Sequence, residues 1–262
     1  MKTTLLITTY NWPEALEITL LSIQNQVLKP SEIIIADDGS GIETLNLIKL
    51  WQRKFEIPII HSWQEDIGFR LATSRNKAIA KSTGDYLIMI DGDLVLHQNF
   101  IEDHVKHCKK NQFVIGPRVL LNENYTYELL SNKDISFSVP SHGILANKKN
   151  LINNNFLSNF FSYQTKSDKQ VRGCNMACFK EDLIAVNGFN EDFIGWGRED
   201  TELVNRLLNL NVSRKNIKFN CNTLHIFHKE NSKTMLSLND DILEKTKKNK
   251  LIRCENGLDK YL

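Results

Sequence analysis

The sequence lacks the features of a secreted protein, of a protein with a structural zinc site and of a membrane-spanning protein. Its five cysteines are odd in number, and no two of them have the spacing C-x-x-C. This pattern indicates reduced thiols and argues against a disulfide framework or a structural zinc site. The first apolar stretch, TLLITT, is too short and too polar for a signal peptide or a membrane span. We therefore expect a cytoplasmic protein that contacts at most the inner face of the cytoplasmic membrane.

A strong excess of one charge is also missing. The formal net charge is +2, and no basic run is interleaved with aromatic residues, so the sequence does not indicate a nucleic-acid partner. With 41% hydrophobic and 24% charged residues, the composition is that of an ordinary globular protein. A chain of 262 residues is long enough for one large α/β domain, alone or with a small appendage.

Short apolar runs alternate with helical patterns in the first third of the chain. Runs such as EIIIA and YLIMI have no polar alternation, which is typical of strands buried on both faces. The alternation predicts βαβ units and a mostly parallel central sheet flanked by helices. The predicted strands are 4–9, 32–36, 57–61 and 85–90, and the predicted helices are 44–55, 74–81 and one that begins at Pro13 with Leu16, Leu20, Ile23 and Val27 on one face.

Three of these strands end in polar clusters. The clusters are TTYN, ADDGS and IDGD. Because ligands of open α/β sheets bind outside the carboxyl ends of the strands, we expect all three clusters to line one binding site.

Asp91-Gly92-Asp93 follows the predicted strand YLIMI. Two carboxylates so close together repel each other when buried, and a cation or a proton between them relieves that cost. Carboxylate oxygens suit Mg²⁺ or Mn²⁺, ions that are usually completed by substrate phosphates. A solvated turn could also contain a D-x-D motif. The position of this motif directly after a buried strand is what favours a metal site.

The pair Asp37-Asp38 stands at the end of another strand, in DDGS. A carboxylate there can accept hydrogen bonds from a base edge or from ribose hydroxyls. A turn or a helix N-cap is the structural alternative, and each aspartate could serve one of the two purposes.

The segment Gly195-Trp196-Gly197-Arg198-Glu199-Asp200 leads into an amphipathic helix. Acidic residues at a helix start are stabilised by the macrodipole, which is the structural interpretation. The Gly-Trp-Gly part favours a functional one, since it presents an aromatic ring that can stack on a sugar beside a carboxylate able to act as a general base.

His225 and His228 lie at the end of an alternating run, LHIFH. A single histidine is more often a hydrogen-bonded core or surface residue than a ligand. An imidazole near the D-x-D pair would complete a divalent site and favour Mn²⁺ over Mg²⁺.

Two parts of the chain carry weaker patterns. Residues 118–170 are rich in Asn, Ser and Lys, which predicts loops and short helices that form either a surface insertion or an acceptor-binding segment. From residue 237 the sequence DDILEKTKKNKLIR predicts a helix, solvated or lying on a membrane surface.

The blocks LLITTYN, IIIADDGS, DIGFRLATSRNKAI and GDYLIMIDGDLVLH together resemble the family 2 glycosyltransferases of the GT-A fold. The later blocks GCNMACFK, GFNEDFIGWGREDTELVNRL and HIFHKEN resemble the C-terminal segment of β-1,4-galactosyltransferases and bacterial chondroitin-type polymerases. The resemblance covers residues 3–97 and 173–231 but not 118–170. It implies a glycosyltransferase domain at 1–236, with a nucleotide-binding half at 1–117 and an acceptor-binding half at 118–236, followed by a helical tail at 237–262.

The resemblance also implies roles for individual residues. It makes Asp200 the catalytic base and Asp93, His228 and Asp91 the metal ligands, with His225 as the rival of His228. Arg198 stands where the family often has a second glycine. The residues implied to contact the substrates are Thr8, Tyr10, Asp37, Asp38, Arg70, Arg75, Asn76, Asp91, Asn175, Met176, Trp196 and Glu199.

The implied reaction is an inverting transfer from a UDP-sugar to a glycan or glycolipid acceptor with Mn²⁺, or alternatively Mg²⁺, as cofactor. UDP-galactose or UDP-N-acetylgalactosamine is the first expectation for the donor, and a growing lipopolysaccharide or capsule glycan for the acceptor. The main alternative is a sugar-nucleotide nucleotidyltransferase, but TTYNWPEA has no glycine or lysine to hold a triphosphate after the first strand. A non-catalytic sugar-nucleotide-binding module is the third, and it would be expected to have lost Asp91, Asp93 or Asp200.

Overall fold

A computed structural model describes residues 1–229 and 232–262. Within these residues the larger of two sheets has eight strands, in the order β3-β2-β1-β4-β10-β6-β11-β9. The strands of both sheets are β1 Thr3–Thr9, β2 Glu32–Asp37, β3 Ile59–Trp63, β4 Tyr86–Asp91, β5 Leu94–Leu96, β6 Gln112–Ile115, β7 Arg118–Leu121, β8 Ile144–Ala146, β9 Tyr163–Thr165, β10 Asn175–Phe179, β11 Ser213–Asn216 and β12 Thr223–His225.

Strands β1 to β4 are mutually parallel, as predicted. Their register sets Thr8 beside Ala36 on one side and beside Asp91 on the other. The polar ends of β1, β2 and β4 therefore meet at one edge of the sheet. Strand β10 then enters antiparallel between β4 and β6, which brings the GCNMACFK block next to the strand that precedes Asp91.

The smaller sheet has the order β5-β12-β7-β8 within the described part of the chain. Its strand β12 sets His225 beside Leu94 of β5 and Leu120 of β7. The expectation of only loops and short helices over 118–170 is wrong, because β7, β8 and β9 lie there together with two helices. These strands are at most four residues long and depend on distant partners, so they leave little local periodicity in the sequence.

The helices lie on both faces of the larger sheet, and several start earlier than predicted. Val27 is wrong as a core position, because the first helix ends before it and its side chain is exposed. The helices are α1 Pro13–Gln24, α2 Ile42–Lys54, α3 Leu71–Lys81, α4 Phe100–His107, α5 Glu123–Asn132, α6 Asn155–Phe161, α7 Lys180–Ala185, α8 Glu199–Asn209 and α9 Leu236–Lys248.

The predicted tail helix is α9, and it packs on α8, where Thr246 donates a 3.0 Å hydrogen bond to Glu202. The chain then returns to α3, against which the buried Leu258 packs. None of the helices in the described residues is long and apolar enough to cross a membrane. The domain boundaries drawn at 117 and 236 stay predictions.

Candidate active site

One cavity of about 910 Å³ opens at the edge where the strands end. It lies between the ends of β1 and β4, the segment before β10, the segment before α8, and the smaller sheet. The predicted site residues that line it are Thr8, Tyr10, Asp38, Arg75, Asp91, Asp93, Trp196, Glu199, Asp200, His225 and His228.

Asp91 lies at the end of β4 and is held by two donors. The hydroxyl of Thr8 donates to Asp91 Oδ1 at 2.9 Å, and Arg75 Nη2 donates to the same oxygen at 3.2 Å. Arg75 comes from α3, and its side chain is only 2% exposed. A carboxylate beside a buried guanidinium is stabilised in its charged form.

Asp200 lies in the first turn of α8 and contacts the same arginine. Arg75 Nη1 donates to Asp200 Oδ1 at 2.8 Å, and the backbone N–H of Gly173 donates to Oδ2 at 2.8 Å. A Cβ at position 173 would overlap the Asp200 carboxylate, so any other residue there would displace that side chain. Arg75 therefore joins the carboxylate at the end of β4 to the one at the start of α8.

Asp93, His225 and His228 form a cluster in which one ligand atom from each lies within 4.8 Å of the others. Asp93 Oδ2 is 3.7 Å from His225 Nε2 and 3.4 Å from His228 Nε2, so the structure brings both histidines to the aspartate. Asp93 Oδ1 is buried without a hydrogen-bond partner among the described residues. A buried, unsatisfied carboxylate oxygen beside two imidazoles fits a divalent cation such as Mn²⁺. Asp91 is outside this cluster because Thr8 and Arg75 engage it.

Glu199 precedes Asp200 and has a different environment. Burial, together with the neighbouring charge of Asp200, raises the pKa of Glu199 to about 7, although Arg75 opposes the shift. Glu199 Oε2 has no hydrogen-bond partner within the described chain. A carboxyl group of this kind can hold or release a proton near neutral pH.

The two aspartates that follow β2 have separate environments. Asp37 is fully buried and accepts hydrogen bonds from Ser40 N–H and from His61, both at 2.8 Å. Burial raises the pKa of Asp37, but these hydrogen bonds outweigh it and the net pKa is lowered. Asp38 instead reaches the cavity, where Arg70 N–H donates to it at 2.8 Å. The structure thus places Asp37 in the turn and Asp38 at the cavity, and the contact of either aspartate with a substrate stays a prediction.

The GWGRED segment has positive φ at three residues: +73° at Gly195, +108° at Gly197 and +80° at Arg198. The left-handed φ explains why glycine suits position 198, and Arg198 adopts it while its Nε donates to Asp240 of α9 at 2.5 Å. Trp196 lies at the cavity with 37% of its surface exposed, and Lys233 Nζ is 5.8 Å from its ring centroid. An exposed indole at this place can stack on a sugar ring.

Several predicted substrate contacts do not line the cavity. Asn76 is turned away from it and donates to Phe189 O and to Glu191, at 2.7 and 2.9 Å. Asn175 is buried and donates to the carbonyl groups of Pro117 and Cys221. Met176 belongs to the hydrophobic core, and Arg70 contributes its backbone N–H to Asp38. Glu230 and Asn231 of the HIFHKEN block lie outside the described residues.

The cavity also has lining residues that the sequence analysis missed. Chief among them are Arg118, at the start of β7, and Arg172, immediately before Gly173. Arg118 lies in the segment without family resemblance, so no motif marked it. Arg172 directly precedes the GCNMACFK block, and this position could have marked it as a site residue.

Known proteins with similar sequences identify the family of this chain. The family model described as glycosyl transferase family 2 matches residues 4–172, and the model described as the N-terminal domain of galactosyltransferase matches 156–229. The Pasteurella multocida chondroitin synthase is 28% identical over 78% of this chain and 22% of its own length. The Borreliella burgdorferi cholesterol galactosyltransferase is 33% identical over 50% of this chain and 35% of its own.

Among solved structures, S. aureus TarS 1–349 in complex with UDP superposes with a TM-score of 0.65 at 13% identity, covering 100% of this chain and 68% of that one. The likeness shows the GT-A fold expected from the sequence. The chain spans 22% to 32% of the length of the chondroitin and hyaluronan synthases it matches. With most of its length covered by the first family model, and with the strand-end carboxylates gathered in one cavity, the chain belongs to glycosyl transferase family 2.

Proposed function

We propose that this enzyme transfers a hexose or N-acetylhexosamine from a UDP-sugar to a glycan or glycolipid hydroxyl, in one displacement that inverts the anomeric centre. The observation that carries the proposal is the pairing of two sites in one cavity. The cavity is lined by the Asp93–His225–His228 cluster and also by Asp200, which is joined to Asp91 through the buried Arg75. The first suits a leaving diphosphate and the second an attacking hydroxyl.

Support for a nucleotide donor comes from Asp38, which lines the cavity with its carboxylate oriented by the Arg70 N–H. A carboxylate in this position can accept hydrogen bonds from the uracil or the ribose. The fold is shared with a protein solved in complex with UDP. UDP-galactose and UDP-N-acetylgalactosamine are the first donors to test, in keeping with the galactosyltransferase model over 156–229, followed by the glucose and N-acetylglucosamine forms.

Asp93, His225 and His228 would hold the divalent ion, Mn²⁺ by preference and Mg²⁺ as the alternative. Such an ion, when bound, supplies Lewis-acid stabilisation of the charge on the leaving diphosphate. Asp93 lies in the short connection between β4 and β5, and its Oδ1 atom is buried.

Asp200 is the proposed general base. Its carboxylate is oriented by Arg75 and by the Gly173 N–H and is 21% exposed toward the cavity. The acceptor oxygen forms the new bond to the anomeric carbon as the bond from that carbon to the diphosphate oxygen breaks, and the hydroxyl proton passes to Asp200. No enzyme nucleophile takes part, so the configuration is inverted. Trp196 would stack on one of the sugars.

Synthesis of a bacterial surface polysaccharide is the setting that the chondroitin synthases support, and a glycolipid acceptor is supported by the cholesterol galactosyltransferase.

A panel of UDP-sugars, assayed with Mn²⁺ by UDP release with and without acceptors, tests the proposal. We expect one preferred donor, loss of activity in EDTA and recovery on adding Mn²⁺. The Asp93→Ala variant should lose at least about 100-fold in activity. The exposed Asp85→Ala variant, which is altered directly before β4 and outside the cavity, serves as the control. Unchanged turnover in Asp93→Ala would contradict the assignment, and pyrophosphate release from UTP and a sugar phosphate would replace the transfer reaction with the nucleotidyltransferase alternative.

A further inference from the structure

Arg118 and Arg172 line the cavity without a carboxylate partner in residues 1–229 and 232–262. Arg118 Nη1 donates to Cys174 Sγ at 3.3 Å, which is a weak acceptor, and its Nε is buried with no partner in the described chain. Burial, followed by the repulsion of Arg118, lowers the pKa of Arg172. Arg118 acts on Asp93 only through the longer-range attraction of their charges, and neither guanidinium group makes an ion pair in the described residues.

The other arginines of the cavity differ in this respect. Arg75 is paired with Asp91 and Asp200, and Arg198 is paired with Asp240. Arg118 is partly buried and Arg172 is exposed beside it, and a partly buried cation that faces a like charge is costly unless an anion joins them. Guanidinium groups match carboxylate and phosphate oxygens through paired, charge-assisted hydrogen bonds. The missing partner of Arg118 and Arg172 is therefore expected to be a group of the substrate.

The position of the two arginines indicates which of the two substrates, the donor or the acceptor, they would contact. Arg172 directly precedes Gly173, whose N–H donates to Asp200, and Arg118 donates to Cys174, the residue after it. The acceptor hydroxyl must reach Asp200 for its proton to be removed. The paired cations accordingly flank the segment nearest to the attacking end of the reaction.

We propose that Arg118 and Arg172 bind an anionic group on the acceptor, a sugar carboxylate or a sugar phosphate ester, and so select acidic acceptor sugars. This inference rests on the proposed function. It adds that the charge on the acceptor, and not only its hydroxyl geometry, decides which glycans the enzyme uses.

The experiment compares three acceptors with the preferred UDP-sugar: methyl β-glucuronide, methyl glucoside 6-phosphate and the uncharged methyl β-glucoside. The wild-type enzyme is expected to show a KM at least about 10-fold lower for one or both charged acceptors than for the neutral one. Comparison of the two charged acceptors separates the carboxylate source from the phosphate source.

The variants Arg118→Gln and Arg172→Gln should each raise the KM for the charged acceptor about 10-fold or more. Their Kd for UDP, measured by calorimetry, should change by less than about 3-fold. Lysine at either position should recover part of the loss, since it keeps the charge but not the planar fork. Arg253→Gln removes an exposed arginine that is paired with Asp259 outside the cavity, and it is the matched control.

Equal use of charged and neutral acceptors by the wild-type enzyme would overturn the inference while leaving the transfer reaction intact. A loss of UDP affinity in the arginine variants as large as the change in acceptor KM would also overturn it, because the pair would then bind the donor diphosphate. Failure of the proposed function is distinct from both, since no UDP-sugar would be turned over at all.

Discussion

Arg75 and Asp200 form an ion pair with a 2.8 Å contact in which the arginine is 2% exposed and the aspartate is 21% exposed. The cation is fixed by burial between α3 and the sheet, and the carboxylate keeps one side toward the cavity. Because the same guanidinium contacts Asp91, the position of the proposed base depends on the strand end that precedes Asp93.

Asp200→Asn should lower kcat about 1,000-fold, since the amide keeps the shape of the side chain but cannot accept the acceptor proton. Binding of UDP should change little. Steady-state kinetics and UDP calorimetry on the same preparation measure the two effects. A kcat within about 10-fold of wild type would remove Asp200 from the role of base and direct attention to Glu199.

Arg75→Met should destabilise the protein by about 3 kcal/mol, because two partly buried carboxylates lose their shared counter-ion. Urea unfolding at neutral pH measures the change. Arg198→Met is the matched control, since it removes an arginine whose pair with Asp240 is about half exposed, and it should cost less than about 1 kcal/mol. Equal losses of unfolding free energy in the two variants would show that the buried ion pairs of Arg75 stabilise the protein no more than the exposed pair of Arg198 does.

Gly173→Ala should reduce kcat/KM more than about 100-fold, because the added Cβ overlaps the Asp200 carboxylate and displaces it from its two donors. Gly41→Ala is the control, since a Cβ there meets its nearest atom, Asn11 Oδ1, at an ordinary 3.7 Å. Kinetics and thermal melting of both proteins distinguish a displaced carboxylate from general unfolding. Full activity in Gly173→Ala would mean that the Gly173 contact with Asp200 is dispensable.

Glu199 should make stability fall as pH rises. Its pKa is raised from 4.5 to about 7, mainly by burial, so the folded state retains a proton that the unfolded state has released. The contribution is complete below pH 4.5 and is lost as pH rises to about 7; its size is on the order of 3 kcal/mol. Unfolding of Glu199→Gln between pH 4 and pH 8 should lack this loss, and a curve parallel to wild type would contradict it.

The parts of the fold that were predictable from sequence are those with local signals. Strands β1, β2 and β4 are continuous apolar runs because both faces are covered, and their common direction brings Thr8, Asp38 and Asp91 to one edge. The smaller sheet was not predictable in this way. Its strands β5, β7, β8 and β12 are short, and each gains its partner from a distant part of the chain.

The motifs also do not predict the direction in which an individual side chain points. Arg75 and Asn76 are neighbours in one block, but successive residues of a helix point about 100° apart, so only Arg75 faces the cavity. The choice between His225 and His228 had no answer in sequence spacing, since the pairing of β12 with β5 and the turn after it bring both to Asp93.

The C-terminal segment has a further consequence through Glu191. This buried carboxylate accepts hydrogen bonds from Thr73 and Asn76 of α3 and from Tyr261 near the chain's last described residue. Leu258 packs on the same helix. The helix that presents Arg75 is thus supported from behind by residues far from any substrate. A substitution or truncation in this segment would therefore lower the measured activity, although the altered residues do not contact the substrates.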